Sequence, residues 1–136
     1  MKISRLLPFF ALLTLLFGCN AESLCIIPRE PELRNKEFPI GSVDNYYYVD
    51  VDAGIRNEPR DNDYDYYFDV VGLPEGLDYF VNYRTISLEG IPTQPGNYTI
   101  TIYVDVDGPF RNNFDENPEI LCNYSTSKTY TLIIEE

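Results

Sequence analysis

The chain has 136 residues and a formal charge of −12, from 22 Asp+Glu against 10 Lys+Arg, with no His, no Trp, three Cys and twelve Tyr. That length accommodates one domain rather than two. Without imidazole there is no His-dependent nucleophile and no His-ligated metal, and so acidic a balance excludes nucleic acid, whose phosphates need a positive footprint.

Lys2 and Arg5 precede an almost wholly apolar run, Leu6 to Phe17. The run is shorter than the about 20 residues of a spanning helix and suits the core of a signal peptide. It closes on Leu16-Phe17-Gly18-Cys19. This resembles the bacterial lipobox, in which a small residue precedes a Cys that is diacylated and becomes the new N-terminus. The resemblance implies that residues 1–18 are a lipoprotein signal peptide, that Cys19 is lipidated, and that the partner is a membrane reached through the lipid. Asn20, rather than an Asp, follows the Cys. In an enterobacterial-type envelope that implies the outer membrane, facing the periplasm or the cell surface. An ordinary signal peptide with a coincidental Cys, or an N-terminal anchor, is the alternative. Cleavage before Cys19 leaves 118 residues in which eight basic side chains face 22 acidic ones, a charge of −14.

Lipidation leaves Cys25 and Cys122. In an oxidising compartment two Cys suggest one disulfide, against the alternative of two free buried thiols. No C-x-x-C spacing points to zinc or redox chemistry.

Residues 19–36 read as a lipidated tether, polar and broken by Pro28 and Pro31. Residues 37–136 read as the folded domain. Short alternating runs separated by turn signals predict an all-β sandwich of about seven strands. Glu37 to Gly41 reads as a short edge strand, with Pro39 tolerable only at an edge. Asn45 to Asp52 alternates, with Tyr47, Val49 and Val51 inward and Tyr46, Tyr48, Asp50 and Asp52 outward. Ala53 to Asp63 reads as a polar loop. Tyr64 to Val71 follows, with Tyr66, Phe68 and Val70 inward. Leu77 to Val81 and Arg84 to Leu88 are two short strands. Asn97 to Asp107 is the longest, with Tyr98, Ile100, Ile102, Val104 and Val106 inward. After a long loop, Gly108 to Leu121, the strand Asn123 to Glu135 closes the fold.

The segment Gly72-Leu73-Pro74-Glu75-Gly76-Leu77, followed by Ile86-Ser87-Leu88-Glu89-Gly90-Ile91-Pro92 and Pro95-Gly96-Asn97-Tyr98-Thr99-Ile100, resembles a bacterial Ig-like family related to dystroglycan-type cadherin-like domains. The resemblance covers roughly Phe38 to Asp107. It implies an Ig-like or cadherin-like β-sandwich. Leu88-Glu89-Gly90 departs from the usual Ile-Ser-Gly, and the long final loop and the Cys pair are additions. Tyr98, just after a Pro-Gly-Asn turn, stands where a tyrosine corner would sit, or it is simply a core Tyr.

An Ig-like topology brings Asp50, Asp52, Asp61, Asp63, Asp65, Asp105 and Asp107 toward one end. Two readings follow. One is a Ca²⁺ site, since hard oxygens in number suit that ion and cadherin-like relatives bind it. The other is a solvated acidic end that keeps the protein soluble. No EF-hand pattern is present. Tyr67 and Tyr103 are expected on one outer sheet face with Asp65, Asp69 and Asp105, either as a binding face for a sugar or a basic peptide or as residues favoured there by strand propensity.

Nothing marks an acid–base pair, and the reading is therefore not an enzyme. The expected function is a lipid-anchored Ig-like binding or adhesion module of the bacterial envelope with a protein or glycan ligand. A structural accessory lipoprotein that stabilises an envelope complex is the alternative.

Overall fold

The computed structural model describes residues 25–108 and 121–136. Eight strands follow in chain order: β1 (Pro31–Leu33), β2 (Gly41–Ser42), β3 (Tyr47–Ile55), β4 (Asp65–Val71), β5 (Leu77–Asn82), β6 (Thr85–Gly90), β7 (Gly96–Asp107) and β8 (Ser125–Glu135). A 3₁₀ turn, Asp61–Asp63, precedes β4. No helix among the described residues is long and apolar enough to cross a membrane.

The strands alternate because their side chains do, and each sheet buries one face. In β3 the odd positions from Tyr47 to Ile55 are buried; in β7 the even positions from Ile100 to Val106 are buried. One sheet has the order β1-β3-β6-β5 and the other β2-β8-β7-β4. All pairings are antiparallel except β2 with β8, which is parallel. Between the sheets lie Val51, Ile86 and Leu88 from the first, and Ile100, Ile102, Val104 and Leu132 from the second. Burying each such side chain contributes about 1.5–3 kcal/mol.

The hydroxyl of Tyr98 donates to Gln94 O at 3.0 Å. This closes the turn before β7 onto the strand, as a tyrosine corner does. The strand order, the crossing from one sheet to the other between β1 and β2, and this corner define an immunoglobulin-like sandwich. Two glycines of the turn motifs interlock beneath it. A Cβ on Gly76 would lie 2.0 Å from Ile91 O, and one on Gly90 2.1 Å from Gly76 O, with φ of 94° and 146°. No other residue type fits either position without moving backbone.

Three boundaries differ from the sequence expectation. Within the segment read as a tether, Pro31–Leu33 belongs to the sandwich. Pro31 and Leu33 are buried, and β1 pairs with Ala53–Ile55 of β3. Its Pro residues looked like linker punctuation, but Pro31 opens a short edge strand, where a missing N–H is tolerated. Correspondingly, Ala53 to Ile55 is strand, not loop, because β1 covers it. Finally, the expected edge strand Glu37–Gly41 is displaced to Gly41–Ser42, paired with Ile134 and Glu135. Phe38 anchors this region by its ring instead, stacking on Tyr130 at 4.8 Å.

Candidate binding face

Cys25 and Cys122 form a disulfide, with Cα atoms 5.9 Å apart across 97 residues. The bridge joins the approach to β1 with the approach to β8. Beside it, the Cys122 N–H donates to Arg29 O at 2.7 Å. Arg29 in turn reaches Glu58 at 3.4 Å, and the Glu58 side chain is only 1% exposed. Glu58 also accepts from the Arg60 N–H and the Tyr64 hydroxyl. This buried carboxylate was not legible in the sequence, where Glu58 is one more acidic residue in a loop. Cys19 lies outside the described residues.

The seven Asp residues of the expected acidic end do not gather into one cluster among the described residues. No three carboxylates among the described residues come together in a way that could hold a metal ion. The seven Asp residues are distributed by topology and by partners. Asp61 is paired with Arg84 at 2.5 Å. Burial works against the Arg84 charge, but Asp61 and Tyr66 outweigh it and raise its pKa. Arg84 enters from the turn between β5 and β6, with Tyr83 beside it at a φ of 58°. The Tyr83 hydroxyl donates to Asn62 O, and its ring packs edge-on against Tyr66. The Tyr66 hydroxyl donates to Asp61 O. A guanidinium and two tyrosines thus occupy the ground where a cation was expected. Asp50 and Asp52 lie on the outer face of the other sheet. Asp50 pairs with Lys36, whose hydrogen bond lowers its pKa. Asp52 accepts from Thr85 Oγ1 at 2.7 Å.

Asp65, Asp105 and Asp107 lie on the outer face of β4 and β7 instead. There Tyr67 stands opposite Asp105, and Asp69 opposite Tyr103. The four side chains form a checkerboard with the two rings on its diagonal. Opposed Cβ atoms lie about 4.5–5.5 Å apart in such a ladder. Tyr67 is 55% exposed and Tyr103 42%. Asp65 stands opposite Asp107 at the end of the same face. Among the described residues none of Asp65, Asp69, Asp105 and Asp107 has an ion pair or a side-chain hydrogen bond. The face continues across β8 as a row of hydroxyls. Ser125 is opposite Asp105, Ser127 opposite Tyr103, and Thr129 opposite Thr101, with the two Thr Oγ1 atoms 3.3 Å apart. On this face, among the described residues, four unpaired carboxylates stand beside two exposed tyrosine rings.

No protein-family model matches this chain, and no curated protein matches it. Solved structures do. Titin domain M7 is similar with a TM-score of 0.46 and 14% identity, over 81% of this chain and 98% of that domain. An ASH/PapD-like domain of human CEP192 gives 0.43 and 12%, over 78% and 84%. An inferred α-galactosidase from Bacteroides fragilis gives 0.46 and 16%, over 79% of this chain, which spans only 18% of that protein's length. None of these likenesses assigns an activity or a ligand.

Proposed function

We propose that the chain is a lipid-anchored immunoglobulin-like binding module of the bacterial envelope. It engages a protein partner that presents Lys or Arg, and it does so through the outer face of β4, β7 and β8. The checkerboard of Tyr67, Asp105, Asp69 and Tyr103 carries this reading. Each ring offers a π face to a cation, and each carboxylate a charge-assisted acceptor. Tyr also supplies rigid contact area at low entropic cost, which is why it is enriched at interfaces. The lipobox around Cys19 supports anchoring, and the disulfide suits an oxidising compartment. A net charge of −14 in residues 19–136 speeds encounter with a cationic partner.

The test places a photo-crosslinkable residue at Thr101, beside the checkerboard, and at Phe80 on the opposite sheet. Crosslinking in the native envelope with mass spectrometry should give a defined protein adduct from Thr101 and none from Phe80. The double substitution Tyr67→Ser/Tyr103→Ser should abolish the adduct. An adduct that survives the double substitution, or a glycan adduct, would refute a cationic protein ligand. Independently, Cys19→Ala should move the protein from the membrane to the soluble fraction.

A further inference from the structure

The structure holds a second surface, on the side of the sandwich where β1 and β8 meet. β8 is paired with β7 along Ser125–Ile134, but with β2 only at Ile134 and Glu135. The Val43 N–H donates to Glu135 O, so the odd positions of β8 turn their backbone groups toward this side. At Ser127, Thr129 and Thr131 those groups meet no backbone partner among the described residues. The chain crossing from β1 to β2 runs past them; the Arg34 N–H donates to Asp52 O at 3.0 Å, and its hydrogen bonds to β8 come from side chains. Lys128 Nζ donates to Leu33 O at 3.0 Å and the Tyr130 hydroxyl to Arg34 O at 2.9 Å.

Two hollows of about 470 and 590 Å³ open along this edge, the first beside β1 and the second beside Asn35–Phe38. Asn35 and Lys128 border both, so the two form one groove. Its charge differs from the rest of the surface. Of the eight basic residues in 19–136, four line it: Arg34, Lys36, Arg56 and Lys128. Arg56 is held by Glu30 and Glu32, and Lys36 by Asp50. Three carboxylates, Glu30, Glu32 and Glu37, also line the groove, but Arg34 and Lys128 form no ion pair among the described residues.

We infer that this edge accepts an extended acidic peptide, which adds as a strand beside β8 over Ser127–Thr131. Strand addition supplies backbone hydrogen bonds, and alternate side chains supply specificity. One set of the peptide's side chains would face Arg34 and Lys128, where carboxylates are complementary. The other set would continue the hydroxyl row of Ser127, Thr129 and Thr131, where Thr pairs well across strands. The acidic residues of the β4–β7 face are two strands away and screened over about 8 Å at physiological salt. The hydroxyl row borders the checkerboard, with Ser127 opposite Tyr103, but the backbone edge and the basic groove lie on the far side of β8, so the acidic-peptide and cationic-partner tests can fail separately.

The full chain is titrated with an octapeptide of alternating Glu and Thr, and with a Lys–Thr octapeptide, while amide hydrogen exchange is read at each residue. The Glu–Thr peptide should slow exchange at Ser127, Thr129 and Thr131 by about tenfold or more, and the Lys–Thr peptide should not. Thr129→Pro removes one edge donor without touching the β7 ladder and should abolish the effect. Protected amides at Ile100 and Leu132 would report that the ladder is intact. Arg34→Glu, on an exposed side chain, should abolish it too and carries the test if Thr129→Pro unfolds. Unchanged exchange at the three amides, equal slowing by both peptides, or slowing along β4 or β5 would overturn the inference.

Discussion

The outer faces of the two sheets carry similar numbers of carboxylates and treat them in opposite ways. On the β1-β3-β6-β5 sheet the acidic groups are satisfied from within. Asp50 has Lys36, Asp52 has Thr85, and Glu32 has Arg56. Glu89 has the Tyr46 hydroxyl at 2.6 Å, a bond that raises the pKa of that tyrosine. Asp78 is the exception. On the β4-β7-β8 side, Asp65, Asp69, Asp105 and Asp107 have no such partner, and the exposed rings of Tyr67 and Tyr103 stand among them. Same-sign charges side by side destabilise a sheet. The unpaired face is the one we propose meets a partner, whereas most carboxylates of the other face have partners within the molecule.

The most severe way to disturb this division is to release the sheets from each other. The Cys25→Ser/Cys122→Ser variant opens a loop of 97 residues and should lose on the order of 4 kcal/mol in chemical unfolding. Alkaline pH acts on both inner faces. Burial pushes Tyr47, Tyr66 and Tyr130 up to about 12 from the ordinary 10.0. The folded state therefore resists ionisation that the unfolded state accepts. Stability is whole below about pH 10 and falls as pH rises through about 12, by on the order of 2 kcal/mol for each ring. Circular dichroism across that window should show unfolding. Tyr47 has a buried hydroxyl with no hydrogen-bond partner, so Tyr47→Phe should fold at least as stably and shift that transition to higher pH. The Tyr98→Phe change removes the corner bond and should cost about 1 kcal/mol.

The smallest effects separate the faces. Asp52→Ala deprives Thr85 of its acceptor and should cost about 1 kcal/mol in urea unfolding. Asp69→Ala on the other face should stay within about 0.5 kcal/mol, or stabilise by relieving repulsion. Equal costs for the two would erase the distinction between them.

The long strands were legible because their alternation is clean. NYTITIYVDVD gives β7, its inward set and the place of Tyr103, while the paired pattern in β4 gives Tyr67. The turn motif before Tyr98 marked the corner, and the cysteine count marked the bridge. What escaped depends on contacts made far along the chain. Pro31 and Leu33 form a strand only because Ala53 and Ile55 lie beside them. The dispersal of the acidic end was hidden for the same reason. Asp61-Asn62-Asp63-Tyr64-Asp65 looks like a cation loop until Arg84, more than twenty positions away, is placed against Asp61 by the β5–β6 turn. The contrast between paired and unpaired carboxylates was equally hidden, since sequence alternation assigns a residue to a face but not to a partner.

The central claim is that the β4-β7-β8 face, and not its counterpart, receives cationic groups. Titrating the full chain with a tetralysine peptide at low salt, and following amide chemical shifts, tests it most directly. The account predicts shifts concentrated at residues 65–69 and 103–107, little change at 48–52 and 85–89, and loss of the response in Tyr67→Ser/Tyr103→Ser. Shifts of equal size on both sheets, or a response that the double substitution leaves intact, would contradict it.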